Sequence, residues 1–237
     1  MATTNGHTVK AFDDDLGELR ALVSEMGGRA EAAVNDAMEA LVRRDLELAA
    51  RVIDQDRRID EIQLEIERRV IRLIALRAPM ADDLREVLAA LKISGVVERM
   101  ADYAKNIAKR VPVLAEARGL EPLSILPAMA RAVSDMVRAT FDAYAARDAE
   151  AAVAVCESDR IVDDFYNSLF RTLLTYMLEN PHNITPSTHL LFIGKNLERI
   201  GDHSTNVAEM VYFAATGHQM AERPKGEDML MSQDRSR

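Results

Sequence analysis

Four short segments of this chain share one pattern: an acidic residue, Arg, two variable residues and Asp. Their acidic residues are Asp56 with Asp60, Glu98 with Asp102, Asp159 with Asp163, and Glu198 with Asp202. In a helix, side chains four positions apart lie on the same face. Each segment would therefore present two neighbouring carboxylates, whose repulsion costs about 0.2–0.5 kcal/mol unless a cation offsets it.

The offsetting cation has two possible sources. The arginine of each segment can reach the following Asp, as Arg99 can reach Asp102, and the segments would then be solvated helix surface. Alternatively, acid pairs from two neighbouring helices can form an all-oxygen site for a hard metal ion, with all eight acids as ligands. Four copies favour the metal site over an isolated surface motif. His203 follows Asp202 and is a further candidate ligand, but Tyr103 occupies the matching place in the other half.

The chain is internally duplicated. Residues 91–111 and 191–211 match at a constant offset of 100 positions, including Asn106 with Asn206. Upstream, the match continues at an offset of 103 positions. The offset changes from 103 to 100 between residues 76 and 91, where a loop can absorb three residues at little cost. The repeat length is that of a small domain, and each repeat carries two acid pairs.

Composition favours a helical protein and excludes several functions. The 237 residues are 48% hydrophobic and 29% charged, and they include only 10 Gly and 7 Pro, as in long helices with few turns. A net charge of −9 argues against nucleic-acid binding and against a basic membrane-surface helix. No stretch approaches the roughly 18 apolar residues of a membrane span, so we expect a cytoplasmic protein without direct membrane insertion. Cys156 is the single cysteine, and we expect it in the core.

Apolar spacing predicts an all-α fold of six long antiparallel helices in two tandem three-helix bundles. The first helix should end near Arg43, with Asp45 and Asp148 capping the second and fifth helices. Pro79 should end the second helix and Asp82 or a neighbour should cap the third, while Asn180-Pro181 separates the fifth from the sixth. The predicted domains are residues 8–113 and 122–216, joined by a linker with Pro112, Gly119 and Pro122, and residues 217–237 are predicted to be a disordered tail.

The segment from Leu197 through His203, with Asn206, resembles the most characteristic sequence of the PhoU family. Asp83-Leu84-Arg85 through Ile93 is similar to the start of that family's third helix. The resemblance spans about residues 8–216. It implies two similar three-helix bundles that bind multinuclear clusters of divalent or trivalent metal ions (iron, zinc, magnesium or manganese) through the eight acids named above. The first repeat has Ala101 and Tyr103 in place of Gly201 and His203, so the likeness is weaker at its metal site.

The same resemblance implies a negative regulator of phosphate uptake and of the phosphate-starvation regulon. Such a protein is an adaptor between a sensor histidine kinase and the ATPase subunit of the phosphate ABC transporter, and we expect a homodimer. The alternative is a metal-dependent phosphohydrolase that activates water with paired metals. The chain has no Gly-rich phosphate loop and no nucleophile elbow, and the acidic pattern lacks the Glu-x-x-His of di-iron bundles. A non-enzymatic adaptor is therefore the leading hypothesis, and a metal-storage bundle is disfavoured.

Overall fold

The computed structural model describes residues 4–116 and 124–221, with side chains from Phe12 onward. Six long helices form its framework, as the apolar spacing predicts. They are α1 (Thr4–Arg43), α2 (Leu46–Arg77), α3 (Asp82–Ala108), α5 (Ile125–Ala146), α6 (Ala149–Glu179) and α7 (Ile184–Thr216). A short helix α4 (Val111–Glu116) follows α3, and a single 3-10 turn (Pro181–Asn183) precedes α7. The prediction of an all-α fold is confirmed.

In each repeat, an aspartate side chain caps the N-terminus of the second helix. The Asp45 carboxylate accepts a hydrogen bond from the backbone N–H of Leu48 at 2.9 Å. Asp148 accepts from Glu150 at 2.9 Å and Ala151 at 3.0 Å. Each cap satisfies backbone donors that have no partner within the helix, which is worth about 1 kcal/mol. Both predicted caps are confirmed.

The N-cap of α3 is the residue before Asp82. Ala81 occupies the N-cap position with a φ of 49° and provides no side-chain hydrogen bond. Asp82 is instead the first helical residue, where its carboxylate pairs with Arg85 at 2.6 Å. The turn after Arg77 is tight, with Ala78 also at positive φ, and it places the N-cap one residue earlier than an Asp82 cap requires.

The short helix α4 differs from the sequence prediction, which assigned Pro112 to the linker. Proline is tolerated in the first turn of a helix, where its missing N–H costs no intrahelical bond. Val111 and Leu114 are buried, so apolar contact stabilises this turn. Gly119, Pro122 and residues 222–237 of the predicted tail lie outside the described residues. In the described ranges, no helix is both long and apolar enough to cross a membrane.

Each repeat is a three-helix bundle, and the two bundles pack along their lengths. α1 packs on α2 and α3, α5 packs on α6 and α7, and the contacts α1–α5 and α3–α7 join the repeats into one continuous core. Gly27 of α1 lies against the ring of Phe141 of α5 so closely that a Cβ atom there would overlap the ring. Glu31 and Arg138 pair across the same contact, with Nη2 to Oε1 at 2.6 Å. The second helix of each repeat therefore lies on the outside, with its acid pair facing the third helix.

Candidate metal centres and the inter-repeat seam

The structure brings together the four predicted acids of the first repeat. Asp56 and Asp60 of α2 face Glu98 and Asp102 of α3, and we call these four residues the first acid cluster. Burial raises the pKa of Glu98, and the negative charges of Asp102 and Asp60 raise it further. Partial desolvation also raises the pKa of Asp60, and the charge of Asp56 adds to the effect. The cluster is thus a concentration of like charge that favours a bound cation.

A lysine that was not singled out from the sequence lies in this cluster. The Nζ atom of Lys105 pairs with Asp56 of α2 and, at 3.2 Å, with Asp102 one turn back on α3. The Asp56 side chain is 8% exposed, so its charge is buried and this ammonium is its partner. The hydrogen bond to Asp56 is the main reason that the pKa of Lys105 is raised. Lys105 lies three residues after Asp102, and residues at this spacing are neighbours on a helix surface. The pairing of Lys105 with Asp102 could therefore have been predicted from the sequence.

The four predicted acids of the second repeat form the second acid cluster, which comprises Asp159 and Asp163 of α6 with Glu198 and Asp202 of α7. Burial raises the pKa of Asp163, and the facing charge of Asp202 contributes. Burial also raises the pKa of Glu198, although Lys195 opposes the shift through a hydrogen bond of 2.6 Å. The oxygen Oδ1 of Asp159 lies 3.5 Å from the position a Cβ atom would take at Gly201.

Arginine is a minor source of positive charge at these motifs. Within the described residues, Arg199 is the one motif arginine within 4.0 Å of its own motif's Asp, with Nη1 to Oδ2 of Asp202 at 3.7 Å. Arg57 instead lies 3.7 Å from Asp54, in the preceding turn. Half of the Arg199 side chain is exposed, so this pair contributes little to stability. The lysines, rather than the arginines, provide the better shielded countercharge.

The donor types fit a hard metal ion, but the side chains are not arranged around one. All eight acids offer oxygen donors, which suit magnesium, manganese or iron. In the described residues, no three His, Cys, Asp or Glu side chains are grouped closely enough to hold an ion as they stand. The Lys105 ammonium pairs with both Asp56 and Asp102. A cavity of about 150 Å³ beside Asp56 is lined by Arg29, Gln55 and Ile59.

His203 lies where α7 of the second repeat packs against α3 of the first, and we call the contact between the two repeats the seam. Its ring lies 5.4 Å from the ring of Tyr103, which is the matching residue of the first repeat. The Nε2 atom is buried without a hydrogen-bond partner. Burial lowers the pKa of His203, Arg99 and Arg199 lower it further, and Asp202 opposes them. Equivalent positions of α3 and α7 thus meet at this point, which is typical of an intramolecular pseudo-twofold arrangement.

A buried charge at the other end of the seam was also not singled out from the sequence. Glu86 of α3 is 5% exposed and pairs with Arg20 of α1. Its second oxygen lies 3.3 Å from Arg147 at the end of α5, close enough for an ion pair although not aligned as a hydrogen bond. The hydroxyl of Tyr144 is buried nearby without a hydrogen-bond partner, and burial raises the pKa of Tyr144. Cys156 is buried, as predicted.

Comparison with known proteins agrees with the fold and with the duplication. The PhoU domain family matches residues 23–111 and 126–211. The chain is 59% identical over 232 residues to the "phosphate-specific transport system accessory protein PhoU homolog" of Zymomonas mobilis, covering 98% of each chain. The homologue of the same name from Caulobacter vibrioides is 48% identical over 92% of this chain and 96% of its own.

Two solved structures share the architecture. The crystal structure of PhoU from Pseudomonas aeruginosa superimposes with a TM-score of 0.84 at 34% identity, covering 87% of this chain and all of that one. The "phosphate transport system regulatory protein PhoU" from Streptococcus pneumoniae gives a TM-score of 0.82 at 28% identity, covering 89% of this chain and all of that one. Two copies of the family domain, high identity and near-complete coverage together establish that this chain belongs to the PhoU family.

Proposed function

We propose that this protein is an accessory regulator of phosphate-specific transport. The observation that carries the proposal is the 59% identity, over 98% of both chains, to a protein of that name. Because the match extends over nearly the whole of both chains, we expect the two proteins to share their role in phosphate transport. The protein would act in the cytoplasm as a homodimer, without an enzymatic activity of its own.

The finer proposal is an adaptor that joins the ATPase subunit of the phosphate ABC transporter to a sensor histidine kinase. When phosphate is plentiful, the adaptor would limit uptake and keep the phosphate-starvation regulon repressed. Rigid helix bundles suit this task because they offer long exposed faces to partner helices. The proposed units are the bundles of residues 8–113 and 122–216, held together through the α1–α5 and α3–α7 contacts.

The outer face of α2 is the part of the surface best suited to a protein partner. Ile71 is 68% exposed and Leu76 is 69% exposed, and Met80 in the following turn is 79% exposed. Arg72 is exposed among these apolar side chains, although the whole chain carries a charge of −9. The expected occupant is a protein surface that carries acidic and apolar side chains, because opposite charge orients and accelerates docking.

Metal ions would bind at the two acid clusters. Asp56, Asp60, Glu98 and Asp102 would hold ions in the first repeat, and Asp159, Asp163, Glu198 and Asp202 would hold them in the second. A bound divalent or trivalent cation would neutralise the like charges and tie the second helix of each bundle to the third. Burial raises the pKa values of Glu98 and Glu198, and neighbouring carboxylates raise them further. A bound cation would offset that cost, which supports this role.

A direct binding experiment tests the adaptor. The purified chain should bind the isolated ATPase subunit and the cytoplasmic region of the sensor kinase in biolayer interferometry. If the chain binds neither protein, with and without added Mn²⁺, the adaptor role is ruled out.

The phosphohydrolase alternative is tested by release of inorganic phosphate from phosphate monoesters in the presence of Mn²⁺, Mg²⁺ or Zn²⁺. Turnover that is lost in Asp202→Asn would favour it.

A further inference from the structure

Arg110 is a partly buried cation that has no acidic partner among the described residues. It lies just beyond the C-terminal end of α3, and its Nε atom is buried without a hydrogen-bond partner. Burial lowers its pKa. By contrast, Arg20, Arg69 and Arg138 each form a hydrogen bond with a glutamate, and that bond raises the pKa of the arginine. Arg110 therefore carries a positive charge that the described part of the chain leaves unpaired.

Two contacts with α7 hold the Arg110 guanidinium in place. Its Nη1 atom lies 3.1 Å from Nδ1 of His189, and its central carbon lies 4.4 Å from the ring centre of Phe192. An arginine only donates, so Nδ1 of His189 accepts this hydrogen bond and the neutral ring carries its proton on Nε2. Burial lowers the pKa of His189, and the charge of Arg110 lowers it further. These contacts orient a planar donor group without neutralising its charge.

This contact occurs at one end of the seam and is not repeated at the other. At the repeat offset of 100, Arg110 matches Met210 and Phe192 matches Lys92. The duplication therefore supplies no second copy. Arg110 also follows Asp102 by eight positions, which is roughly 12 Å along a helix, so the contact is separate from the acid clusters.

An anion from solution is the missing partner that this arrangement favours. A cation removed from water without a countercharge raises the free energy of the folded state. The chain has 39 acidic residues, yet none of those described pairs with Arg110. The guanidinium fork matches the spacing of oxygen atoms in phosphate and carboxylate groups. His189 adds a second positive charge when it is protonated, which favours a doubly charged anion.

We propose that Arg110 and His189 form a binding site for a tetrahedral oxyanion such as phosphate at this end of the seam. The bound anion neutralises Arg110 and holds the end of α3 to α7, which strengthens the contact between the two repeats. The Phe192 ring is 51% exposed, so the site is open to solvent on that side. The site requires neither metal binding nor the adaptor role, and it gives the protein a direct response to phosphate.

The test is isothermal titration of the metal-free full chain with inorganic phosphate. Wild type should bind one phosphate per chain with a Kd of about 1 mM or tighter. Arg110→Gln should weaken binding about tenfold or more, because a charge-assisted hydrogen bond is lost. Arg110→Lys keeps the charge without the fork and should lie between the two. Lys109→Gln is the matched control, since it removes one charge from the adjacent exposed residue, and it should change the Kd by less than about twofold.

Thermal melts separate ligand binding from a structural role of Arg110. Phosphate should raise the melting temperature of wild type and leave that of Arg110→Gln unchanged, so the difference between the two proteins should widen as phosphate is added. A difference that does not depend on phosphate would show that Arg110 only packs α3 against α7, and it would overturn the proposal. His189→Gln should weaken the phosphate response without abolishing it.

Competition identifies the class of anion. Sulfate should displace phosphate, whereas acetate at the same concentration should not. Equal competition by acetate would assign the site to carboxylates and overturn the proposal. So would phosphate binding that appears only in Glu121→Gln, because a carboxylate of the linker would then fill the site. No phosphate binding by wild type, or binding that Arg110→Gln leaves unchanged, would also overturn it.

Discussion

Glu86 and Arg147 lie 3.3 Å apart across the seam between the two repeats. Glu86 is near the start of α3, and Arg147 is the C-cap of α5, at a φ of 54°. Arg20 of α1 pairs with the same carboxylate. One buried acid therefore ties together α1, α3 and α5, and so couples the first bundle to the second.

Glu86→Gln should destabilise the protein by about 1.5–3 kcal/mol, because the change keeps the size of the side chain and removes the charge that both arginines share. Urea unfolding followed by circular dichroism measures this loss. The control is Glu61→Gln, because Glu61 pairs with Arg58 at 3.0 Å while both side chains are exposed. The control should cost less than about 1 kcal/mol. Equal costs for the two variants would show that the seam does not depend on the buried acid.

Gly27→Ala should destabilise by about 1–3 kcal/mol, because the new methyl group would overlap the ring of Phe141 and force α1 away from α5. The adjacent Gly28 has nothing within 4 Å of the position a Cβ atom would take, so Gly28→Ala should be neutral or stabilise the helix by up to about 1 kcal/mol. Both variants are measured by urea unfolding. If Gly27→Ala is as well tolerated as its neighbour, the close approach of α1 to α5 does not depend on a glycine.

The stability of metal-free protein should depend on pH through Glu98. The pKa of Glu98 is higher in the folded than in the unfolded state, so the folded state binds more protons between the two values. The free energy of unfolding therefore falls as pH rises from the ordinary glutamate pKa of 4.5 to the raised value, and the penalty persists above it. Glu98→Gln lacks this titration. Its stability relative to wild type should increase as pH rises through that window.

Urea unfolding of both proteins in chelator, from about pH 4 to pH 7, measures this difference. Groups common to both proteins, such as His189 and His203, cancel when the two curves are subtracted. A difference that stays constant across the range, or that favours wild type as pH rises, would contradict the assignment of a raised pKa to Glu98.

Ile71→Glu should weaken binding to whichever of the two proposed partners uses the outer face of α2, by about tenfold or more, because it places a charge in the apolar centre of that face. Leu174 is the matching residue of the second repeat and is 46% exposed. Leu174→Glu is therefore the matched control, and it should leave that affinity unchanged, since Thr175 stands there in place of Arg72. Biolayer interferometry with the ATPase subunit and the kinase region compares the two variants. Equal effects would rule out a role specific to α2.

Local features of this fold could be predicted from sequence, and those that depend on helix register could not. The caps Asp45 and Asp148 are set by neighbouring residues, and both are confirmed. For α3 the sequence predicted only that Asp82 or a neighbour is the cap. The structure has Ala81 at the N-cap and Asp82 as the first helical residue. The pairing of Lys105 with Asp56 joins residues 49 positions apart, and it exists only because α2 and α3 pack in one particular register.

In the candidate site, too, the features that are local in sequence could be predicted and those that depend on helix packing could not. The eight acids could be selected because their spacing recurs in both repeats, and the structure places each set between its second and third helices. Glu86 was not singled out, because an acid in an apolar helix start looks like any exposed helix residue until its partners on α1 and α5 are known. The meeting of Tyr103 with His203 likewise depends on how the repeats pack against each other.

The proposed repression of the phosphate-starvation response by this protein is tested by a reporter measurement in a deletion strain. The gene is deleted in the organism that carries it, and a phosphate-starvation promoter fused to a reporter is followed in phosphate-rich medium. A repressor predicts high reporter activity in the deletion strain and its return to the wild-type level when the full chain is supplied from a plasmid. Reporter activity that stays low in the deletion strain would contradict the claim.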